Sequence, residues 1–253
     1  MKARAAPLVL GHRGFPARYP ENTLLSFRKA LEAGAGGIEC DVQKSADGRY
    51  VIIHDETVDR TSNGHGPVAA LPLRELRGMD FGSGERIPTL EEMLAVVSPG
   101  AYLDLELKHE TIRGEDFGPI AAALDAAMPR SRLMISSFQP ALLYPFRRKG
   151  YTVGFLLGEE AYARGAGAVA REVARLRPQF LNLPVQTMET IGLGRTLTFI
   201  RVLRLLGIDL LWWTVSSLAS VQPVLASSRI LVSDDPGRLV REMSSAGVAG
   251  TRR

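Results

Sequence analysis

Only seven residues, Gln43–Arg49, separate two strand-like runs, Gly37–Val42 and Tyr50–His54. That is too few for the helix that joins parallel strands, so the second run must fold back on the first. Ala46-Asp47-Gly48 supplies the turn. The rest of the chain is spaced differently. Runs at Leu8–Gly11, Tyr102–Lys108, Leu133–Ser136, Thr152–Leu157, Phe180–Leu183, Leu210–Val215 and Arg229–Ser233 mostly alternate with 10–20 residues of helical periodicity. Such alternation makes a parallel sheet with helices outside. Setting the hairpin strand aside leaves eight parallel strands, which close into a (β/α)8 TIM-type barrel. An open doubly wound sheet is the competing arrangement. The expected α/β fold is therefore a barrel with an extra β-hairpin strand and an insertion after it. That insertion, residues 56–88, is rich in Gly and charge and too long for an ordinary connection. It is expected to form a cap or lid over the barrel mouth.

Helix signals fit this frame. Asn22–Ala33 reads as a helix with Asn22 as its cap and Gly34 as its end. Thr89-Leu90-Glu91-Glu92 fits a capping box before Met93–Val97. Pro236–Met243 reads as a helix, and Ala141–Lys149 as a helix less strongly marked because Pro145 falls inside it. The tail Gly247–Arg253 is expected to fray. Residues 1–253 are expected to form one domain, since barrels often reach this length undivided.

Composition narrows the function classes. The net charge of +4 comes from 31 basic and 27 acidic residues without a dense basic block, which argues against nucleic acid. The single cysteine, Cys40, excludes an internal disulfide. The apolar start Leu8–Leu10 is too short for a secretion signal. The most apolar long window, Thr196–Val215, contains Arg201, Arg204 and Asp209, which are costly in lipid. A soluble cytoplasmic protein with no stable membrane insertion is expected; its oligomeric state is left open.

Barrel active sites lie where strands end. The first strand ends in Gly11-His12-Arg13-Gly14, the second in Glu39-Cys40-Asp41, the hairpin strand in His54-Asp55, and the next in Glu106-Leu107-Lys108. Alternation puts Glu39 and Asp41 on one face, and Asp104, Glu106 and Lys108 on one face. Leu103, Leu105 and Leu107 take the opposite face, toward helices, so the charged set must face the interior. A turn near Asp47 pairs positions whose numbers total about 95, which sets His54 across from Asp41. Carboxylates gathered this closely repel one another, and a hard divalent cation, Mg²⁺ or Ca²⁺, is the simplest neutraliser. Such an ion polarises a phosphoryl oxygen. Two histidines suit acid–base work near neutral pH. Arg13 and Lys108 suit a phosphate. Asp104 is expected to be a buried partner of Lys108. Trp213 is expected on the pocket wall and Trp212 in the core. His65 and His109 are expected in solvent, and Cys40 buried and inert.

In order, Gly11-His12-Arg13-Gly14, Pro20-Glu21-Asn22-Thr23, Glu39-Cys40-Asp41-Val42, His54-Asp55, Asp59-Arg60-Thr61 and Glu106-Leu107-Lys108 resemble the glycerophosphodiester phosphodiesterase family. Weaker echoes are Ser136-Ser137-Phe138, Trp213-Thr214-Val215 and Ser233-Asp234-Asp235-Pro236. The resemblance implies a TIM barrel with Glu39, Asp41 and Glu106 as metal ligands and His12 and His54 as the acid–base pair. It implies that Arg13 contacts the phosphate with help from Lys108. The implied reaction is metal-dependent hydrolysis of a small glycerophosphodiester to glycerol 3-phosphate and an alcohol, through attack by the substrate's own 2-hydroxyl and a cyclic phosphate. Departures fall late: Ser216 stands where the family usually has Asn, Ser227-Ser228-Arg229-Ile230 where it has Gly and Asp, and Ser233 where it has Thr. Two other readings compete: a related phospholipase of the sphingomyelinase D type, and a catalytically silent barrel that binds phosphodiesters.

Overall fold

Eight strands run parallel and close into a ring in this computed structural model, which describes residues 6–97 and 100–248. The strands are β1 (Leu8–His12), β2 (Gly37–Lys44), β3 (Tyr50–Ile52), β4 (Tyr102–Leu107), β5 (Leu133–Ser137), β6 (Thr152–Leu156), β7 (Phe180–Pro184), β8 (Asp209–Trp213) and β9 (Ile230–Ser233). The ring runs β1-β2-β4-β5-β6-β7-β8-β9 and closes through β9 onto β1; β3 pairs antiparallel with β2, outside the ring. The closed barrel with one extra hairpin strand is the fold expected, and the doubly wound sheet is excluded.

Helices cover the outside: α1 (Leu24–Glu32), α2 (Leu73–Leu76), α3 (Leu90–Val97), α4 (Phe117–Ala127), α5 (Pro140–Arg148), α6 (Glu159–Ala163), α7 (Ala166–Leu176), α8 (Thr187–Thr190), α9 (Leu193–Leu205), α10 (Leu218–Val221) and α11 (Pro236–Ser245). The outward strand residues Ile38, Cys40, Val42, Leu103, Leu105, Leu107, Leu181 and Trp212 share one core with Phe27, Met93, Leu143, Phe146 and Leu203 from the helices. A fully buried aliphatic side chain of this kind contributes about 1.5–3 kcal/mol. Inside the ring, Leu10, Met134, Phe180, Leu211, Ile230 and Val232 form a separate apolar plug. The polar inward residues stand at the strand ends above it.

Local chemistry explains the ends of several elements, and corrects two expectations. The cap of α1 is Thr23, whose side chain accepts from Ser26 N, not Asn22. Thr89 and Glu92 form the expected capping box, with bonds of 3.3 and 2.9 Å. Asp235 caps α11 by accepting from Arg238 N, with Pro236 in the first turn. The second correction concerns the hairpin. Its pairs are Val42–Ile52, Gln43–Val51 and Lys44–Tyr50, one residue away from the expected register, and β3 stops at Ile52 rather than His54. Ser45 sets this register: its hydroxyl accepts from Arg49 N at 3.0 Å and lies 3.1 Å from Arg49 O. His54 therefore lies beyond the paired strand, and Ile53 is the residue bonded to Asp41 O.

Residues 56–88 carry a core of their own. Val58, Val68, Leu76, Phe81 and Ile87 pack together with Val51 and Ile53 of the hairpin arm. The segment is thus a small packed unit seated on β3. The tail from Ala249 onward lies outside the described residues.

Candidate active site

The first turn of the site is made by Gly11-His12-Arg13-Gly14. A Cβ on Gly11 would lie 2.0 Å from the Gly14 carbonyl oxygen, and Gly14 has φ +92°, so the chain can fold back here only with glycine. Arg13 itself takes φ +52° and Asn22 φ +55°, both left-handed. Backbone cost of this kind is concentrated where side chains must be aimed. Here it aims Arg13 and Asn22 at the same carboxylate, Asp41.

Inward alternation and parallel register bring the acids together. Glu39 pairs with Asp104, and Asp41 with Glu106, across β2 and β4. One carboxylate oxygen from each of Glu39, Asp41 and Glu106 lies within 4.8 Å of the others. All three residues are buried. Asn22 Nδ2 donates to Asp41 Oδ2 at 2.9 Å, and Arg13 Nε lies 3.5 Å from the same atom. Lys108 Nζ donates to Glu106 Oε1 at 2.8 Å and lies 3.1 Å from Asp41 Oδ1. Lys108 is therefore bound to the acid cluster. The expectation that Asp104 partners Lys108 is corrected: Asp104 accepts from Ser136 Oγ at 2.6 Å. The cause is register, which sets Asp104 one step deeper in the barrel, beside β5.

The electrostatics follow from burial. Burial and the neighbouring acids push Glu39 well above the usual carboxylate range. Burial raises Glu106 to about 7 even with Lys108 beside it, and burial raises Asp104 to about 8. Burial would also raise Asp41, but Lys108, Arg13, His54 and the Asn22 bond together hold it below its ordinary value. The cluster thus resists full ionisation, and a bound cation favours the ionised form. The donor set fits one: three carboxylate oxygens within 4.8 Å of one another, at most about twice a metal–oxygen distance of 2.0–2.6 Å, match a hard divalent cation.

Both histidines reach this cluster and both are oriented through Nδ1. His12 Nδ1 lies 2.6 Å from Asp234 Oδ1, and its Nε2 is 3.9 Å from Glu39 Oε2. His54 Nδ1 lies 2.7 Å from Asp55 Oδ1. His54 arrives without a strand to carry it. Gln43 Nε2 binds the carbonyls of Ile53, His54 and Asp55 at 3.3, 3.0 and 2.6 Å and bends the arm over the mouth. Burial lowers the His54 pKa despite the nearby Asp41 charge.

An arginine of the 56–88 segment ties these parts to one another. Arg60 binds Asp55 through Nε at 2.6 Å and Glu21 through Nη1 and Nη2 at 2.8 and 2.7 Å. Glu21 in turn accepts from Arg13 Nη1 at 2.9 Å.

His12, Arg13, Glu39, His54, Asp104, Glu106, Ser136, Phe138, Asn182 and Trp213 line one cavity of about 150 Å³. Trp213 forms its wall, edge-on to Phe138 with ring centres 5.9 Å apart. Trp212 is in the core, and the side chains of His65 and His109 are 86% and 47% exposed, all as expected. Cys40 is buried with its thiol pushed up by burial. Asp234, Asp55, Gln43 and Asn182 carried no expected role. A larger groove of about 1420 Å³ between α7 and α9 has no carboxylate or histidine among its described lining residues.

Known proteins share this architecture. The model of the glycerophosphoryl diester phosphodiesterase family matches residues 12–242. A glycerophosphodiester phosphodiesterase of Caldanaerobacter subterraneus subsp. tengcongensis is 31% identical over 252 residues, covering 95% of this chain and 99% of that protein. The crystal structure of a glycerophosphodiester phosphodiesterase from Thermotoga maritima is similar with a TM-score of 0.80 at 30% identity, over 94% of this chain and 99% of that one. A phosphodiesterase of Oleispira antarctica, solved with its product sn-glycerol-3-phosphate, is similar with a TM-score of 0.75 at 27% identity, over 94% and 97%.

Proposed function

Because the chain belongs to the glycerophosphoryl diester phosphodiesterase family, we propose that it hydrolyses glycerophosphodiesters to glycerol 3-phosphate and an alcohol with a divalent cation, Mg²⁺ or Ca²⁺. One observation supports this most directly: Glu39 and Glu106 line a single cavity with both histidines, and a carboxylate oxygen of Asp41 lies within 4.8 Å of theirs. Glu39, Asp41 and Glu106 hold the cation, which when bound neutralises their charge and polarises a phosphoryl oxygen. Arg13 lines the cavity and faces the phosphate, while Lys108, held on Glu106 and Asp41, adds positive charge behind the same acids.

The histidines move the protons. With Nδ1 held by a carboxylate, each keeps Nε2 for proton transfer to and from substrate. In the first step the neutral one takes the proton of the glycerol 2-hydroxyl. That oxygen bonds to phosphorus, the bond to the far alkoxide breaks, and the protonated histidine gives its proton to the leaving oxygen. In the second step the roles reverse. Water loses a proton to one histidine and bonds to phosphorus, the ring P–O2 bond breaks, and the 2-hydroxyl regains a proton from the other. In the same reading the protein works in the cytoplasm, where a lone buried thiol such as Cys40 stays reduced.

Phosphorus NMR of a glycerophosphocholine digest tests the pathway. The expected record is a transient five-membered cyclic phosphate followed by glycerol 3-phosphate. Phosphocholine as the product, or a glycerol 3-phosphate signal that rises with no cyclic species in rapidly quenched samples, contradicts it.

A further inference from the structure

The wall of the cavity that faces the carboxylates holds a polar group with no task in the fold. Asn182 stands on β7, four ring positions from β2 and therefore opposite Glu39 and Asp41. It is 0% exposed, it lines the cavity, and neither its Nδ2 nor its Oδ1 has a hydrogen-bond partner among the described residues. A buried carboxamide offers two donors and two acceptor sites, and leaving them unmade carries the full desolvation cost. A leucine would fill the same space without that cost. Room for the amide is made on the neighbouring strand: a Cβ on Gly154 would lie 2.8 Å from both amide atoms. Trp213, on the next strand, adds a second orphan, its buried Nε1 donor.

The chemistry of this wall selects its occupant. Ser136, Phe138, Leu156, Asn182, Leu211, Trp213 and Val232 carry no charge, so the wall suits neither a phosphate nor a carboxylate. A hydroxyl both donates and accepts, as a carboxamide does. We propose that Asn182 is a specificity residue that hydrogen-bonds the terminal hydroxyl of the substrate's glycerol unit while the phosphate lies on the carboxylate side. This rests on the phosphodiesterase reading above.

Two chromogenic esters separate this idea from that reading. Glyceryl p-nitrophenyl phosphate and 2-hydroxypropyl p-nitrophenyl phosphate share the leaving group and the attacking 2-hydroxyl, and differ in the terminal hydroxyl alone. The wild-type protein with its cation is expected to prefer the glyceryl ester by about 10- to 100-fold in kcat/KM. In Asn182→Leu that ratio is expected to collapse toward one. Asn182→Ala, which needs no new space, gives the same readout if the leucine variant does not fold. An unchanged ratio, or loss of both esters by the same factor, overturns the assignment. Hydrolysis of neither ester by the wild-type protein, with glycerophosphocholine also uncleaved, overturns the phosphodiesterase reading itself.

Discussion

Asp234 and Asp55 hold His12 and His54 through the same ring nitrogen, at 2.6 and 2.7 Å. A carboxylate at Nδ1 sets the tautomer and leaves Nε2 free for substrate. Asp234→Asn keeps the shape but offers an amide, which can hold the wrong tautomer. Its kcat for glycerophosphocholine is predicted to fall by about 100- to 10,000-fold, by analogy with the same change in a serine-protease triad, with KM little changed; steady-state kinetics check this. The acid cluster sets a second expectation. Glu39 is raised well above the carboxylate range and Glu106 to about 7, so both must shed protons to hold a cation. Cation affinity is therefore predicted to tighten as pH rises from 6 to 8, with proton release seen as a buffer-dependent heat in calorimetry. Most of this cluster was legible from strand parity, because Glu39 and Asp41 alternate with outward Ile38, Cys40 and Val42, and Glu106 and Lys108 with outward Leu105 and Leu107. Asp234 was not legible as a partner of His12. The two lie 222 residues apart, and an acid before Pro236 reads as a helix cap, the job Asp235 does.

The hairpin arm and the segment after it decide where His54 stands. Alternation indicated that the arm turned back, but a five-residue loop has several closures, and the Ser45 bonds that select one are local geometry. The arm is also tied to the barrel side. Asp116 accepts from Lys44 Nζ at 2.9 Å, from Tyr50 Oη at 2.9 Å and from Arg113 N at 2.7 Å, and these bonds hold its pKa below the usual value. Asp116→Ala is predicted to cost about 1–3 kcal/mol at pH 7. A depressed carboxylate contributes above its unfolded pKa and loses that contribution as pH falls through its folded one. The gap between variant and wild type, measured by urea unfolding, should therefore close below about pH 4. A gap that stays constant to pH 3 would place the loss in packing instead. The 56–88 segment was expected as a cap. Its apolar residues are too scattered to show a periodicity, so the small core around Val58, Val68 and Phe81 appears only once the chain is folded.

For the whole molecule, closure of the eight strands buries an apolar plug inside the ring, sets polar inward residues above it at the strand ends, and leaves the ring no open edge. We propose that the barrel and its insertion unfold as one domain; coincident fluorescence and circular dichroism transitions check this. No helix among the described residues is long and apolar enough to cross a membrane. Three acids buried together make the empty cluster costly, so saturating Mg²⁺ or Ca²⁺ should raise Tm. At about 100 times Kd the gain is about 2.7 kcal/mol, and Glu106→Gln should reduce it. The central claim is that one cavity joins a cation cluster to two proton-transferring histidines. The direct measurement is release of glycerol 3-phosphate from glycerophosphocholine by wild type, His12→Ala and His54→Ala, each with added cation and with chelator. Turnover by wild type that needs the cation, and falls at least about 100-fold in either variant, is the predicted result. Turnover that survives the chelator, or that either alanine variant retains, would contradict it.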